Sequence, residues 1–305
     1  MTMPNRRFTL TVALILLAAA ACLCSVTTDD GASASHTPAR KRVMPWMCLE
    51  RCGDNSTSIT AQLHALAQHR ELISGVSFEL FNLGAEGTLV ANNLTQVLPF
   101  LQTAGFKTYP MISSYPYPPQ FLDWMRYVFD NPKPFITTCV QTAVKEGFSG
   151  YNVDWEPASG VPTADDAKRY AHFLTEFAEA LHAAGKELTV DFAGWSTIWD
   201  YESLNASKAD RLLCMGTYTP NFDSFLRQFQ KAVASISLDK LGIGLETVNE
   251  SENNRPLTDQ EWEERFDMII AKGIQEIDIW KTPIPDNMWK FIAKFVYSDT
   301  FASSA

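Results

Sequence analysis

The sequence predicts an α/β fold, a single (β/α)8 barrel. Three observations carry that expectation. Short apolar, strand-like runs alternate eight times with segments of 3.6-residue periodicity. The chain has 305 residues, 46% apolar and 20% charged, which suits one large domain or two small ones and excludes disorder through most of its length. No glycine-rich turn follows the first strand-like run, as an open doubly wound sheet would require.

The elements follow in order. Residues 1–24 read as a signal peptide: Arg6 and Arg7 precede an apolar run at 8–21 that closes on small residues and is too short to span a membrane. Cys22 follows the alanines 18–21 and weakly resembles a bacterial lipidation site, without the usual leucine. Residues 25–42 form a polar, unordered linker ending in Arg40-Lys41-Arg42, either a processing site or a solvated linker end. The barrel is expected over 43–297, with strands at 43–49, 75–81, 107–112, 151–156, 188–193, 211–218, 241–246 and 277–280. Residues 298–305 are a tail. The fourth helix places Tyr170, Phe173, Leu174, Phe177 and Leu181 on one face, with Thr163 as N-cap and Gly185 as stop. The sixth carries Phe222, Phe225 and Phe229 together, and the seventh opens on the capping box Thr258-Asp-Gln-Glu261. The fifth, within 199–210, is short and poor in apolar spacing.

The net charge of −10 and the absence of a basic cluster in the body argue against nucleic-acid binding. No second long apolar segment follows the first, so no stable membrane insertion is expected. Sequons at Asn55, Asn93, Asn205 and Asn249 agree with a secreted glycoprotein, extracellular or lysosomal, expected to be a monomer. After the signal, Cys48, Cys52, Cys139 and Cys214 match no zinc spacing. Secretion permits disulfides, and Cys139 and Cys214 sit in apolar segments suited to buried thiols.

In such a barrel chemistry sits at the C-terminal ends of the strands. No histidine passes that filter: His64, His69, His172 and His182 fall on helices and His36 in the linker. Carboxylates do. The fourth strand reads Gly150-Tyr-Asn-Val-Asp-Trp-Glu-Pro157. Alternate residues share a face, so Asn152, Asp154 and Glu156 point into the barrel and Tyr151, Val153 and Trp155 toward the helices. Two close acids in a buried site push one pKa up and create a proton donor near neutral pH. Glu246 ends the seventh strand. Trp46, Tyr115, Tyr117 and Trp195 lie near strand ends as possible sugar platforms, Glu79 and Asp278 can line the pocket or pair structurally, and Trp124, Trp262 and Trp289 suit packing.

The run Gly150-x-Asn152-x-Asp154-x-Glu156-Pro resembles the strand-four signature of glycoside hydrolase family 18, Asp-Gly-x-Asp-x-Asp-x-Glu, found in chitinases, di-N-acetylchitobiase and endo-β-N-acetylglucosaminidases. The likeness extends to Gly216-Thr-Tyr218-Thr on strand six and Trp280 on strand eight. Ser149 and Asn152 stand where the family has aspartates, Thr219 where it has Asp after the tyrosine, and Met111-Ile-Ser-Ser114 blurs its strand-three pattern. The resemblance implies a TIM barrel without the inserted α+β domain, because 247–258 is too short for one, and a shallow, open groove. It implies retaining, substrate-assisted hydrolysis of β-1,4-linked N-acetylglucosamine, in chitin fragments or N-glycan cores, without metal or cofactor. Glu156 would be the acid, Asp154 would orient the substrate acetamide, Tyr218 would bind its oxygen, and Trp280 would stack on the sugar. Asn152, Asp191 and Glu246 would help bind substrate. Two other readings compete: a retaining glycosidase with Glu156 as acid/base and Glu246 as nucleophile, and a non-catalytic chitinase-like lectin.

Overall fold

Eight parallel strands close on themselves in the computed structural model, which describes residues 40–92, 96–249 and 252–302. The signal peptide, Cys22, all but the end of the linker, the sequon at Asn93 and residues 303–305 lie outside the described residues. The strands are β1 (Arg42–Met47), β2 (Gly75–Leu83), β3 (Lys107–Ser113), β4 (Gly150–Asp154), β5 (Glu187–Phe192), β6 (Arg211–Cys214), β7 (Leu241–Glu246) and β8 (Glu276–Trp280). β1 pairs with both β2 and β8, and this closes the barrel. The closing register sets Trp46 opposite Trp280, and Trp280 opposite Glu246.

Helices cover the outside: α1 (Ser56–Gln68), α2 (Val97–Thr103), α3 (Phe121–Asp130), α4 (Pro132–Glu146), α5 (Ala164–Ala183), α6 (Tyr201–Ala206), α7 (Phe222–Ser235), α8 (Asp259–Ala271) and α9 (Trp289–Ala302). Capping boxes at Thr163/Asp166 and Thr258/Glu261 start α5 and α8, as their sequences require. The weak fifth helix is the six-residue α6, capped by Asp200.

Several boundaries differ from the sequence expectation. The β3–β4 connection holds two helices, because Pro132 can begin a helix but cannot continue one. Leu89–Ala91 adds an antiparallel strand to β2, and Val248–Asn249 pairs with Arg255–Pro256 in a small hairpin. β6 stops at Cys214, not at 218: Thr217 Oγ1 donates to the Cys214 carbonyl at 2.7 Å and coils the chain into a short helical turn. β1 stops at Met47, beyond which Leu49 takes a φ of +55° inside a loop closed by a Cys48–Cys52 disulfide. α9 runs to Ala302, past the expected barrel limit at 297. Cys139 and Cys214 are buried free thiols.

Candidate active site

β4 places the site because its two faces have different partners. Gly150 opens the strand where a Cβ would lie 2.1 Å from the Glu187 carbonyl oxygen, so no side chain fits. On the outer face, Tyr151 Oη donates to the Cys139 carbonyl at 2.9 Å. Trp155 stacks on Phe173 of α5, with ring centroids 5.2 Å apart and planes 7° apart, and on Tyr170. These contacts turn Asn152, Asp154 and Glu156 inward.

Asn152 is fully buried and its side chain is committed to the protein. Its Oδ1 accepts from Trp46 Nε1 at 3.2 Å and Ser77 Oγ at 3.1 Å, and its Nδ2 donates to Asp191 Oδ1 at 2.8 Å and Thr189 Oγ1 at 3.0 Å. It ties four strands together beneath the cavity and is absent from the cavity wall.

Asp154 and Glu156 face a cavity of about 170 Å³ at the barrel mouth, which Asp191, Tyr218 and Trp280 also line. Asp154 is buried. Its Oδ2 lies 3.5 Å from Arg51 Nη1, and its Oδ1 has no partner among the described residues. Glu156 is half-buried, and Tyr117 Oη donates to its Oε1 at 3.4 Å. Burial raises the pKa of Asp154, and the Arg51 guanidinium opposes that rise. Burial and then the neighbouring Asp154 charge push Glu156 up to about 8. The arrangement holds a proton on Glu156 near neutral pH, with the Asp154 carboxyl and the Arg51 guanidinium beside it.

Aromatic rings enclose the space above these acids. Tyr218 meets Trp46 edge-on at 5.4 Å and lies at 25° to Trp280 at 6.2 Å. It fits because Gly244 lacks a Cβ, which would sit 2.3 Å from the tyrosine ring. The buried Tyr218 Oη has no partner among the described residues. Burial holds its pKa, and that of Asp191, well above their ordinary values.

Of the other aromatic candidates, Trp46, Tyr117 and Trp195 line the cavity. Tyr115 lies outside it, 5.6 Å from the Arg51 guanidinium carbon. Glu246 is half-buried at the end of β7 and is not in the cavity wall with Glu156. Glu79 accepts from Asn92 at 3.5 Å, and Asp278 is buried beneath the site as a raised-pKa acid. Among the described residues no group of His, Cys, Asp or Glu is arranged to hold a metal ion.

Sequence reasoning missed Arg51. Its loop follows β1, and no periodicity reports where a loop side chain reaches. The one available signal is its place between two cysteines four residues apart at a strand's functional end. The disulfide closes that loop, and the guanidinium lies over the Tyr117 ring at 5.1 Å.

The sequence matches no protein-family model, and no curated protein is similar to it by sequence. Solved structures are similar in fold. A chitinase from Chromobacterium violaceum ATCC 12472 superposes with a TM-score of 0.68 at 16% identity, over 84% of this chain and 98% of its own. The spore cortex-lytic enzyme SleL of Bacillus megaterium QM B1551 gives 0.69 at 13%, over 84% and 75%. A class V chitinase from Nicotiana tobaccum gives 0.64 at 13%, over 85% and 99%. This chain has the chitinase fold. That barrel, spanned almost end to end in the Chromobacterium protein, carries the β4 acids at the mouth where barrels of this kind place their chemistry.

Proposed function

We propose that the protein is a secreted glycoside hydrolase that cleaves β-1,4-linked N-acetylglucosamine by a retaining, substrate-assisted route. The observation that carries this reading is the pair of carboxyls at the end of β4: Glu156 and the buried Asp154 face one cavity at the barrel mouth, where burial and the Asp154 charge push Glu156 up to about 8. In the proposed reaction Glu156 gives its proton to the glycosidic oxygen as the bond to the anomeric carbon breaks. The substrate's own acetamido oxygen forms the new bond to that carbon. Asp154 Oδ1, which has no partner among the described residues, accepts from the acetamide N–H and offsets the positive charge of the oxazolinium ion. Tyr218 Oη donates to the acetamide oxygen, and Trp280 supports the sugar ring. Water then attacks the anomeric carbon, the bond from that carbon to the acetamido oxygen breaks, and a proton from the water returns to Glu156, so the configuration is retained. Asp191 contributes to the wall of the site, and Asn152 acts by holding Asp191.

The fold shared with chitinases supports the substrate class, and the Cys48–Cys52 disulfide supports an oxidising destination. Asn55 is exposed and suited to a glycan, whereas Asn249 is only 5% exposed and is not. The test is hydrolysis of fluorogenic chitobioside and chitotrioside between pH 4 and 8 by wild type and Glu156→Gln. Wild-type release with a loss of about 10²–10⁴-fold in the variant is expected; an equal rate in the two proteins sinks the assignment.

A further inference from the structure

The loop between β3 and α3 reads Ser114-Tyr-Pro-Tyr117-Pro-Pro-Gln120, and it reaches the acid beyond the end of β4. Pro116, Pro118 and Pro119 fix φ on both sides of Tyr117 and stiffen the loop. Tyr117 itself has a φ of +61°, a left-handed conformation that a bulky side chain rarely adopts. Such backbone persists where its surroundings over-determine it, and it concentrates at working sites.

The surroundings here are specific. Tyr117 N donates to the Ser114 carbonyl at 2.8 Å and closes a turn. The buried Ser114 ties that turn to the chain on both sides of Trp155. Its N–H donates to the Asp154 carbonyl at 3.1 Å, and its Oγ accepts from the Glu156 N–H at 3.2 Å. Loop and strand end are therefore held in one frame. The Tyr117 ring is held too: the Arg51 guanidinium carbon lies over it at 5.1 Å, and the Tyr115 ring meets it edge-on at 6.3 Å. From there Tyr117 Oη donates to Glu156 Oε1 at 3.4 Å. Catalytic hydrogen bonds are often this long before substrate binds and tighten in the complex.

We infer that Tyr117 is the positioning residue of the acid: it holds Glu156 by Oε1, leaves the proton on Oε2, and stabilises the charge on Oε1 as that proton departs. That role rests on the glycosidase reading for the bond the proton cleaves. A hydroxyl donates more strongly to a carboxylate than to a carboxylic acid. The contact therefore strengthens as Glu156 loses its proton, and it favours the transition state over the bound substrate. The same preference for the ionised form pulls against the groups that keep Glu156 protonated. Asp154 on β4 and Asp191 on β5 face it as acids, Arg51 from the β1–α1 loop as the cation, and Tyr218 is the other titratable group of the cavity wall. A tyrosine that only supported a sugar would act through its ring, which phenylalanine keeps.

The experiment compares wild type with Tyr117→Phe, which removes the hydroxyl and leaves the ring against Arg51. Carbon-13 glutamate labelling follows the titration of Glu156 directly, with Glu156→Gln identifying its carboxyl resonance. In parallel, kcat and KM on a fluorogenic chitobioside are measured across pH 4 to 10. In Tyr117→Phe the Glu156 midpoint is expected to rise by about one pH unit, and the alkaline limb of kcat/KM to move up with it. At pH 6 kcat is expected to fall about tenfold, with KM changed by less than about twofold. An unmoved or lowered midpoint overturns the role, and so does an unchanged kcat; either leaves the glycosidase standing. No wild-type turnover at any pH overturns the glycosidase instead, and the titration then decides the contact alone. A midpoint raised in Tyr117→Phe supports the hold on Glu156, and an equal or lower midpoint overturns it.

Discussion

Arg51 decides how Asp154 and Glu156 share their charge. In the proposed reaction Asp154 is ionised to stabilise an oxazolinium ion; its burial works against that, and the guanidinium at 3.5 Å opposes the effect of burial. The position that the family signature fills with another aspartate is Asn152 here, which is spent on Trp46, Ser77, Thr189 and Asp191. Arg51→Met is therefore expected to move the acid limb of the kcat/KM profile to higher pH, with a larger loss at pH 5 than at pH 7, while Arg51→Lys restores much of it. A profile unchanged by the loss of charge would leave Arg51 a packing role only. The alkaline limb belongs to Glu156 and should fall through about pH 8. The same shift has a stability sign. A carboxyl whose folded pKa lies above its unfolded value contributes stability that is complete below about 4.3 and is lost as pH rises through the folded pKa. Glu156→Gln, which cannot ionise, should melt higher than wild type at pH 8 and gain no such advantage at pH 4. The inward face of β4 was legible because the side-chain period of a strand is two. Arg51 was not, because the reach of a loop side chain depends on the path of the loop.

β4 and α5 act as one unit, since the ring that locks the strand's orientation is buried in the helix. Trp155→Ala should cost about 3–5 kcal/mol and reduce activity with it, read by denaturant unfolding. Thr163→Ala removes half of the α5 capping box and should cost about 1 kcal/mol with the pH profile unmoved. The sequence carries α5, α7 and α8 plainly, because each buries one apolar stripe and two of them open on a capping box. It hides the division of the β3–β4 connection into α3 and α4. Both helices are amphipathic, and only the Asn131-Pro132 step separates them. It also hides Leu89–Ala91, since three residues are too few to display a period. On β6 the apolar run continues past the strand's end, and the bond from Thr217 to the Cys214 carbonyl, which ends the strand, leaves no mark in hydrophobicity.

The two ends of the barrel divide stability from chemistry. At the N-terminal end the buried Arg211 pairs with both Glu276 and Glu187, and Glu276 also holds Arg42, so two arginines there meet two carboxylates. At the other end Asp154, Glu156 and Asp191 crowd together with Arg51 as the cation at the cavity wall. That cation hangs on a loop of five residues closed by Cys48–Cys52. So short a loop constrains the unfolded chain by only about 2 kcal/mol, which a barrel of this size can lose and stay folded. Production route thus becomes a variable for this protein. Material made in a reducing cytosol should give a normal far-ultraviolet spectrum and a melting point lower by a few degrees, yet should show the acid-side loss expected of an Arg51 variant. Mild oxidation should return it to the behaviour of material exported through an oxidising compartment. A purified batch can thus be well folded and poorly active, and a thiol titration will tell it from a good one when a melting curve barely does.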